Sequence, residues 1–361
     1  MNKIITSESV NIGHPDKTCD YIADCFLDEA LSQDPNSMMA VECSIKDDKF
    51  FIYGEATTKA KINYKKIAQQ ALKDIGYKNK FKIVKQISIQ SPEINNAVLS
   101  NEICANDQGM AYGYATNETK EYMPLPIIVA HKLMKQYESY RRKGDDFYAD
   151  AKCQVSVEYV NNTPKHFTKI LISASHNANL NNQQIYNLIL KNVIKPVLKE
   201  YKTMVYEKTE FIINPSGKFT IWGSFADSGC VGRKIIVDTY GGVGRVGGGC
   251  FSSKNATKID RSGAYYARYV AKNIVAKGLA DRCEIQVSYG IGIAEPLSMY
   301  IDTFGTEKVD IKEIYKYVNK NYNFKPGNII KELDLLKPIY KQTACYGHFG
   351  WNNYTWEQVR K

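Results

Sequence analysis

Residues 234–249 read Lys234-Ile-Ile-Val-Asp-Thr-Tyr-Gly-Gly-Val-Gly-Arg-Val-Gly-Gly-Gly249, and six of the last nine are glycine. Gly242 to Gly247 fits G-x-G-x-x-G behind a run, Lys234 to Tyr240, that reads as a strand. A dinucleotide-binding fold needs a helix opening at those glycines and an acidic ribose ligand about 20 residues on. The next helical pattern instead begins near Ser262, so that fold is set aside. The pattern G-x-x-x-x-G-K-S/T and the kinase signatures H-R-D and D-F-G do not occur either. Arg233, Lys234, Arg245, Lys254, Lys258 and Arg261 flank the loop, with Asp227, Asp238 and Asp260. Glycines allow close backbone approach to an anion, Lys and Arg neutralise it, and Asp suits a hard cation. The loop is therefore expected to be a polyphosphate cradle, the plain alternative being a flexible surface turn.

Outward from the loop the pattern is mixed. Cys19, Ile22, Ala23, Phe26, Leu27, Ala30 and Leu31 share one helical face, with Pro15 at the first helical position and Asp34-Pro35-Asn36 ending the run. Strands are expected around Met39 to Ile45 and Phe50 to Glu55, then a helix from Tyr64 to Ile75 closed by Gly76. Strand, polar turn and amphipathic helix recur at Lys169 to Leu198 and at Ser298 to Val318. Longer helices are expected at Pro126 to Lys143 and from Ser262 to Gly278. Three similar α+β units follow, divided at 1–98, 99–222 and 223–361, with the chain crossing between units near its start.

The length of 361 residues fits two or three domains at roughly 150 residues each. Nine scattered cysteines without a C-x-x-C pair read as reduced thiols. Met1-Asn2-Lys3 leads into polar sequence rather than a signal-peptide core, and no apolar run would span a bilayer. A cytoplasmic protein is expected, with no membrane partner. The net charge of +10 fits nucleic acid, an anionic surface or a small anionic substrate. Most of the excess lysine falls on apparent helices, as solvated faces do.

The second cluster is Ser7-Glu-Ser-Val-Asn-Ile-Gly-His-Pro-Asp-Lys17. A helix starting at Pro15 points free N–H groups at whatever His14 faces, an anion site. His14 could give a proton or a hydrogen bond to a phosphate oxygen. Asp16 either serves the helix dipole or, with Asp260, holds magnesium. His131, His166, His176 and His348 form no zinc spacing and read as surface or core residues. With no G-x-S-x-G elbow, covalent catalysis is unsupported, which suits chemistry run by positioning and charge neutralisation.

Thr6-Ser-Glu-Ser-Val10, Gly13-His-Pro-Asp-Lys17, Gly54-Glu55 with Thr57-Thr58, Gln90-Ser-Pro92, Asp107-Gln-Gly109 and Gly113-Tyr-Ala-Thr-Asn-Glu-Thr119 lie in order along the chain. Gly232-Arg-Lys-Ile-Ile-Val-Asp-Thr-Tyr-Gly-Gly242, Lys258-Ile-Asp-Arg-Ser262, Ala280-Asp-Arg-Cys-Glu-Ile-Gln-Val-Ser-Tyr289 and Tyr346-Gly-His-Phe-Gly350 continue it. In these motifs the chain resembles the S-adenosylmethionine synthetases, or methionine adenosyltransferases. The resemblance implies three α+β domains about a pseudo-threefold axis and a homodimer, often paired into a tetramer, with active sites at the subunit interface. It implies attack of methionine sulfur on C5′ of ATP, loss of tripolyphosphate, and hydrolysis of that product to phosphate and diphosphate.

By the same resemblance His14 assists triphosphate departure, Asp16 and Asp260 hold magnesium and Glu42 helps bind potassium. Asp150, Lys152, Lys218, Phe219, Asp227, Arg233, Lys234, Cys250 and Lys254 are expected around ATP, with Lys152, Arg233 and Lys254 also in catalysis. Glu55, Gln90, Asp227 and Lys258 are expected around methionine, and Asp107 at the base of a gating loop. The chain departs from the family pattern at Asn106, Val246, Cys250, Ser253 and Asn255, leaving rate and substrate tolerance open. A generic ATP-dependent kinase or ligase, a non-catalytic ATP-binding relative and a nucleic-acid-binding protein are the alternatives. The last gives no reason for His14, Asp16 and Asp260 together.

Overall fold

A computed structural model describes residues 2–89 and 102–360. In chain order the elements begin β1 (Asn2–Val10), α1 (Pro15–Gln33), β2 (Met38–Lys46), β3 (Lys49–Thr57), α2 (Tyr64–Ile75), β4 (Lys82–Ser88), β5 (Gly109–Thr116) and α3 (Leu125–Arg141). They continue β6 (Phe147–Val160), β7 (Thr163–His176), α4 (Asn182–Ile189), β8 (Glu210–Ile213), β9 (Gly229–Cys230), α5 (Ile235–Asp238) and α6 (Ile259–Ala276). β10 (Arg282–Tyr289), β11 (Ser298–Asp302), α7 (Ile311–Asn321) and α8 (Pro326–Glu332) follow.

Three sheets form among the described residues, in the orders β1-β6-β7-β8, β11-β10-β5 and β4-β3-β2-β9. Each is covered by one long helix: α3 lies on β1 and β6, α6 on β5 and β10, and α1 on β2 and β9. This is the three-domain α+β architecture, with strand pairing that runs across the sequence. β1 sits beside β6 at Val10↔Lys152, β5 beside β10, and β9 beside β2.

The apolar stripe of α1, from Cys19 to Leu31, is buried as its period requires. Asn63 caps α2 by accepting the Lys66 N–H, and Gly76 ends it at φ +124°, a conformation glycine tolerates. Helix α6 is buried from Ile259 to Val275 with Asp260 as the exception. It comes so near β5 that a Cβ on Gly113 would lie 2.0 Å from the Ala267 carbonyl carbon.

Two local readings change. Residues 235–238 form a helical turn, α5, where the sequence predicts a strand from Lys234 to Tyr240. The β-branched Ile-Ile-Val run favours extension locally, but Asp238 is drawn onto the buried Lys17 ammonium, and tertiary pairing overrides propensity. Helix α6 opens at Ile259 rather than Ser262, where Asn106 Oδ1 accepts the first helical N–H at 3.3 Å. With no strand before the glycines and no helix at them, the dinucleotide-binding arrangement is absent from this region.

Candidate active site

Helix α1 organises the site through its polar face. Asp16, Asp20, Asp24 and Asp28 recur every four residues and so share one side of the helix. Each accepts backbone N–H groups from a distant segment: Asp16 from Cys230 at 3.0 Å, Asp20 from Gly232 at 2.9 Å and Asp24 from Ser253 at 3.0 Å. Asp28 takes those of Tyr340 and Lys341, at 2.8 and 3.0 Å. Lys234, Lys17 and Arg261 pair with the first three. For Asp28, burial outweighs its two backbone bonds and pushes the carboxyl up to about 6.

His14 is the N-cap of α1, its Nδ1 accepting the Asp16 N–H at 3.2 Å. The ring is 2% exposed. Burial first, then the nearby Lys234 and Lys152, lowers its pKa to about 2, so it is neutral. Since Nδ1 accepts, the hydrogen is assigned to Nε2, which becomes a donor.

The other expected site residues fall into two groups. Around His14 stand Asp16, Lys152, Asp227 and Lys234, with Arg233 Nη1 3.5 Å and Lys234 Nζ 2.7 Å from the Asp16 carboxylate. Asp150 faces Lys152 and Asp227; burial pushes it up to about 6, and its Oδ1 meets no partner among the described residues. Phe219 is anchored by hydrogen bonds to His176, with Lys218 exposed beside it.

In the second group Lys254 Nζ lies 2.6 Å from Asp260 Oδ2. Burial opposes the Lys254 charge, yet the Cys250 and Asp260 groups beside it raise its pKa on balance, with Glu42 adding to the field. Burial lowers the pKa of Lys258, which faces Glu55, Asp107 and Asp260. Asp107 itself accepts the Gln108 N–H. The Cys250 thiol is pushed up to about 11 by burial and stays protonated. Gln90 lies outside the described residues.

Four of the loop's six glycines pack against the protein, while Gly242 and Gly248 have open space, among the described residues, where a Cβ would lie. A Cβ on Gly244 would meet Tyr114, one on Gly247 the Met110 carbonyl at 2.2 Å, and one on Gly249 the Asp260 carboxylate at 2.2 Å. These glycines let the loop pack on β5 and α6, and the space left beside Asp260 is about 10 Å³, one water at most. Two flanking cations are also structural: Arg245 is bound to Glu284 at 2.9 Å and Arg261 to Asp24 at 2.7 Å. The cations that act on His14 are instead Lys234 from the short stretch before α5, Lys152 of β6 and Lys17 of α1.

At the departures, Asn255 accepts the Met39 N–H through Oδ1 and donates Nδ2 to the Thr257 hydroxyl, contacts an aspartate could match by accepting the Thr257 O–H, so the structure does not explain this departure. Ser253 sits at φ +79° with its buried hydroxyl unpartnered among the described residues. Left-handed backbone costs a serine about 1–2 kcal/mol, and an unpaired buried hydroxyl about 1–3 kcal/mol. Against these stands the greater unfolded-state freedom of glycine, about 0.4–1 kcal/mol. Ser253→Gly is expected to stabilise the fold by about 1 kcal/mol, read from urea unfolding; a loss of stability would show the hydroxyl to be bonded.

The aspartate series of α1 escaped the sequence reading, although its four-residue spacing was a usable signal. Fold and site together define a three-domain α+β protein in which Lys234 and Lys254 are set on the Asp16 and Asp260 carboxylates. Family models for the N-terminal, central and C-terminal domains of S-adenosylmethionine synthetase match residues 2–100, 102–219 and 221–358. The S-adenosylmethionine synthase of Oenococcus oeni is 49% identical over 97% of this chain and 94% of its own length. That of Mycoplasma capricolum is 48% identical over 99% and 95%, and that of Mesoplasma florum 46% over 100% and 98%. The chain belongs to the S-adenosylmethionine synthetase family, whose activity is the formation of S-adenosylmethionine from L-methionine and ATP.

Proposed function

We propose that the His14 and Lys254 groups carry out this transfer by alignment and charge neutralisation. The sulfur lone pair forms the S–C5′ bond as the C5′–O bond breaks, and the electron pair leaves with tripolyphosphate. No proton moves, which suits a neutral His14 that offers Nε2–H to the departing oxygen. The observation carrying the reading is that Lys234 and Lys254 rest on Asp16 and Asp260, with Gly232 beside the first packed against Cys250 beside the second. A unit pair at 4 Å is worth about 4 kcal/mol at an effective dielectric of 20, so several cations lower the barrier substantially.

Lys152, Arg233 and Lys234 take the phosphates with Lys254, while Asp150, Lys218, Phe219, Asp227 and Cys250 surround the rest of ATP. Glu55, Gln90, Asp227 and Lys258 hold methionine. Asp16 and Asp260 offer the oxygen donors that magnesium prefers, and Glu42 does so for potassium. Among the described residues no three His, Cys, Asp or Glu side chains converge, so phosphate and water would complete a magnesium shell. Magnesium, when bound, supplies further neutralisation of the leaving group. Hydrolysis of tripolyphosphate to phosphate and diphosphate follows at the same cations.

Sites shared between two subunits, in a dimer or dimer of dimers, follow from the family resemblance. Domain limits near 98 and 222 and a cytoplasmic location complete the proposal. No helix among the described residues is long and apolar enough to cross a membrane.

Incubation with ATP, methionine, magnesium and potassium should yield S-adenosylmethionine with phosphate and diphosphate; ADP or AMP as the nucleotide product would overturn the reading. Lys254→Ala should lower kcat by at least about 100-fold with the fold intact by circular dichroism. Near-normal turnover would remove Lys254 from the mechanism.

A further inference from the structure

Arg233 and Lys234 lie on a stretch tied to α1 at both ends, and a single turn of α1 makes both ties. Ahead of them, Gly232 at φ +80° donates its N–H to Asp20 Oδ1 at 2.9 Å. Behind them, Asp238 closes α5 and meets Lys17 Nζ at 2.5 Å. Lys17 Nζ also bonds Asp20 Oδ2 at 2.9 Å, which joins the two ties into one chain of charge-assisted bonds. Lys17 and Asp20 are fully buried and Asp238 is 3% exposed. His348 Nε2 lies 3.9 Å from the same Asp238 oxygen that Lys17 meets.

The geometry points to Lys17 and Asp20 as positioning residues for the polyphosphate. Both are sealed from solvent and so cannot touch substrate. Burying such a cluster costs stability relative to apolar packing. What it gives in return is a fixed location for the three residues between Gly232 and Ile236, among them Arg233 and Lys234, the two cations on Asp16. With the Lys17 tie cut, the Asp238 end keeps its backbone bond from His348, and the aim of Arg233 and Lys234 rests on Gly232 and on their own pairing with Asp16. Displacement of a positioning group by about 1 Å is enough to lower turnover roughly 100-fold. The inference rests on the reading that Arg233 and Lys234 grip phosphate, and goes beyond it in naming what aims them.

The test uses the full chain with magnesium tripolyphosphate as probe, by calorimetry, together with KM values for ATP and methionine. Lys17→Met and the paired Lys17→Met/Asp20→Asn are expected to weaken tripolyphosphate binding and raise the KM for ATP by about 10-fold or more, with KM for methionine unchanged. A purely structural role would lower kcat through lost active enzyme and leave both KM values in place, which would overturn the proposal. If these variants fail to fold, Lys17→Met/Asp20→Asn/Asp238→Asn supplies the measurement, since it removes the whole buried cluster and leaves no ion without its partner. Arg233→Ala/Lys234→Ala separates the two ideas. If that variant binds the probe like wild type, the phosphate reading itself fails. If it binds weakly while the Lys17 variants bind normally, only the positioning role is lost.

Discussion

His14→Asn is expected to lower kcat by about 10²–10³-fold while leaving helix α1 intact. Asparagine is among the best N-cap residues, and its Oδ1 can take over the Asp16 N–H that Nδ1 now accepts. What the replacement cannot supply is the Nε2–H. Losing one preorganised donor to a developing oxyanion typically costs a factor of that size. The pH profile sharpens the test. Burial and the neighbouring Lys234 and Lys152 hold His14 near 2, so it is neutral throughout the range from pH 5 to 8. The kcat/KM profile of the wild type, which reports the free enzyme, should therefore show no step from His14 near the ordinary histidine value of about 6.5. A step there that disappears in His14→Asn would identify the ring as a proton donor and overturn the neutral-donor mechanism. Activity within twofold of wild type would remove His14 from the chemistry altogether.

Regular periodicity made the scaffold legible. The apolar stripe of α1, the Asn63 and Gly76 boundaries of α2 and the β2–β3 hairpin all express local rules, so sequence and structure agree within a few residues. Residues 234–240 misled because three consecutive β-branched side chains favour a strand, whereas the deciding contact is made 221 positions away by Lys17. The aspartates of α1 were hidden differently. Their partners at Cys230, Gly232, Ser253 and Tyr340 are backbone groups, which carry no side-chain signature in a sequence. The glycine loop shows the limit of motif reading. At Gly244, Gly247 and Gly249 what approaches is the protein's own β5 and α6, while Gly242 and Gly248 stay open among the described residues. Composition likewise could not sort the cations, since Arg245 and Arg261 look like Arg233 until Glu284 and Asp24 are seen beside them.

Arg261→Met is expected to destabilise the protein by about 3–5 kcal/mol, the usual result of removing one partner of a buried ion pair. Arg261 and Asp24 are both fully buried and joined by two parallel bonds of 2.8 and 2.7 Å. The guanidinium also donates to the Lys254 carbonyl, Thr343 and Tyr265, and lies 4.2 Å from the centre of the Tyr340 ring. Methionine fills much of the volume but leaves the Asp24 carboxylate with the Ser253 N–H in place of a cation. Urea unfolding measures the loss, and a change below about 1 kcal/mol would show the pair to be hydrated rather than sealed. Asp24→Leu/Arg261→Met separates stability from function. Replacing both charges by apolar groups should recover most of the stability, because no lone buried ion remains. Turnover should stay low, because Asp24 holds Ser253 and Arg261 holds the carbonyl of Lys254, the residues that set the Lys254 ammonium against Asp260. Recovery of both together would mean that the loop carrying Lys254 is positioned by its bonds to β2, through Asn255 and Met39, and not by α1.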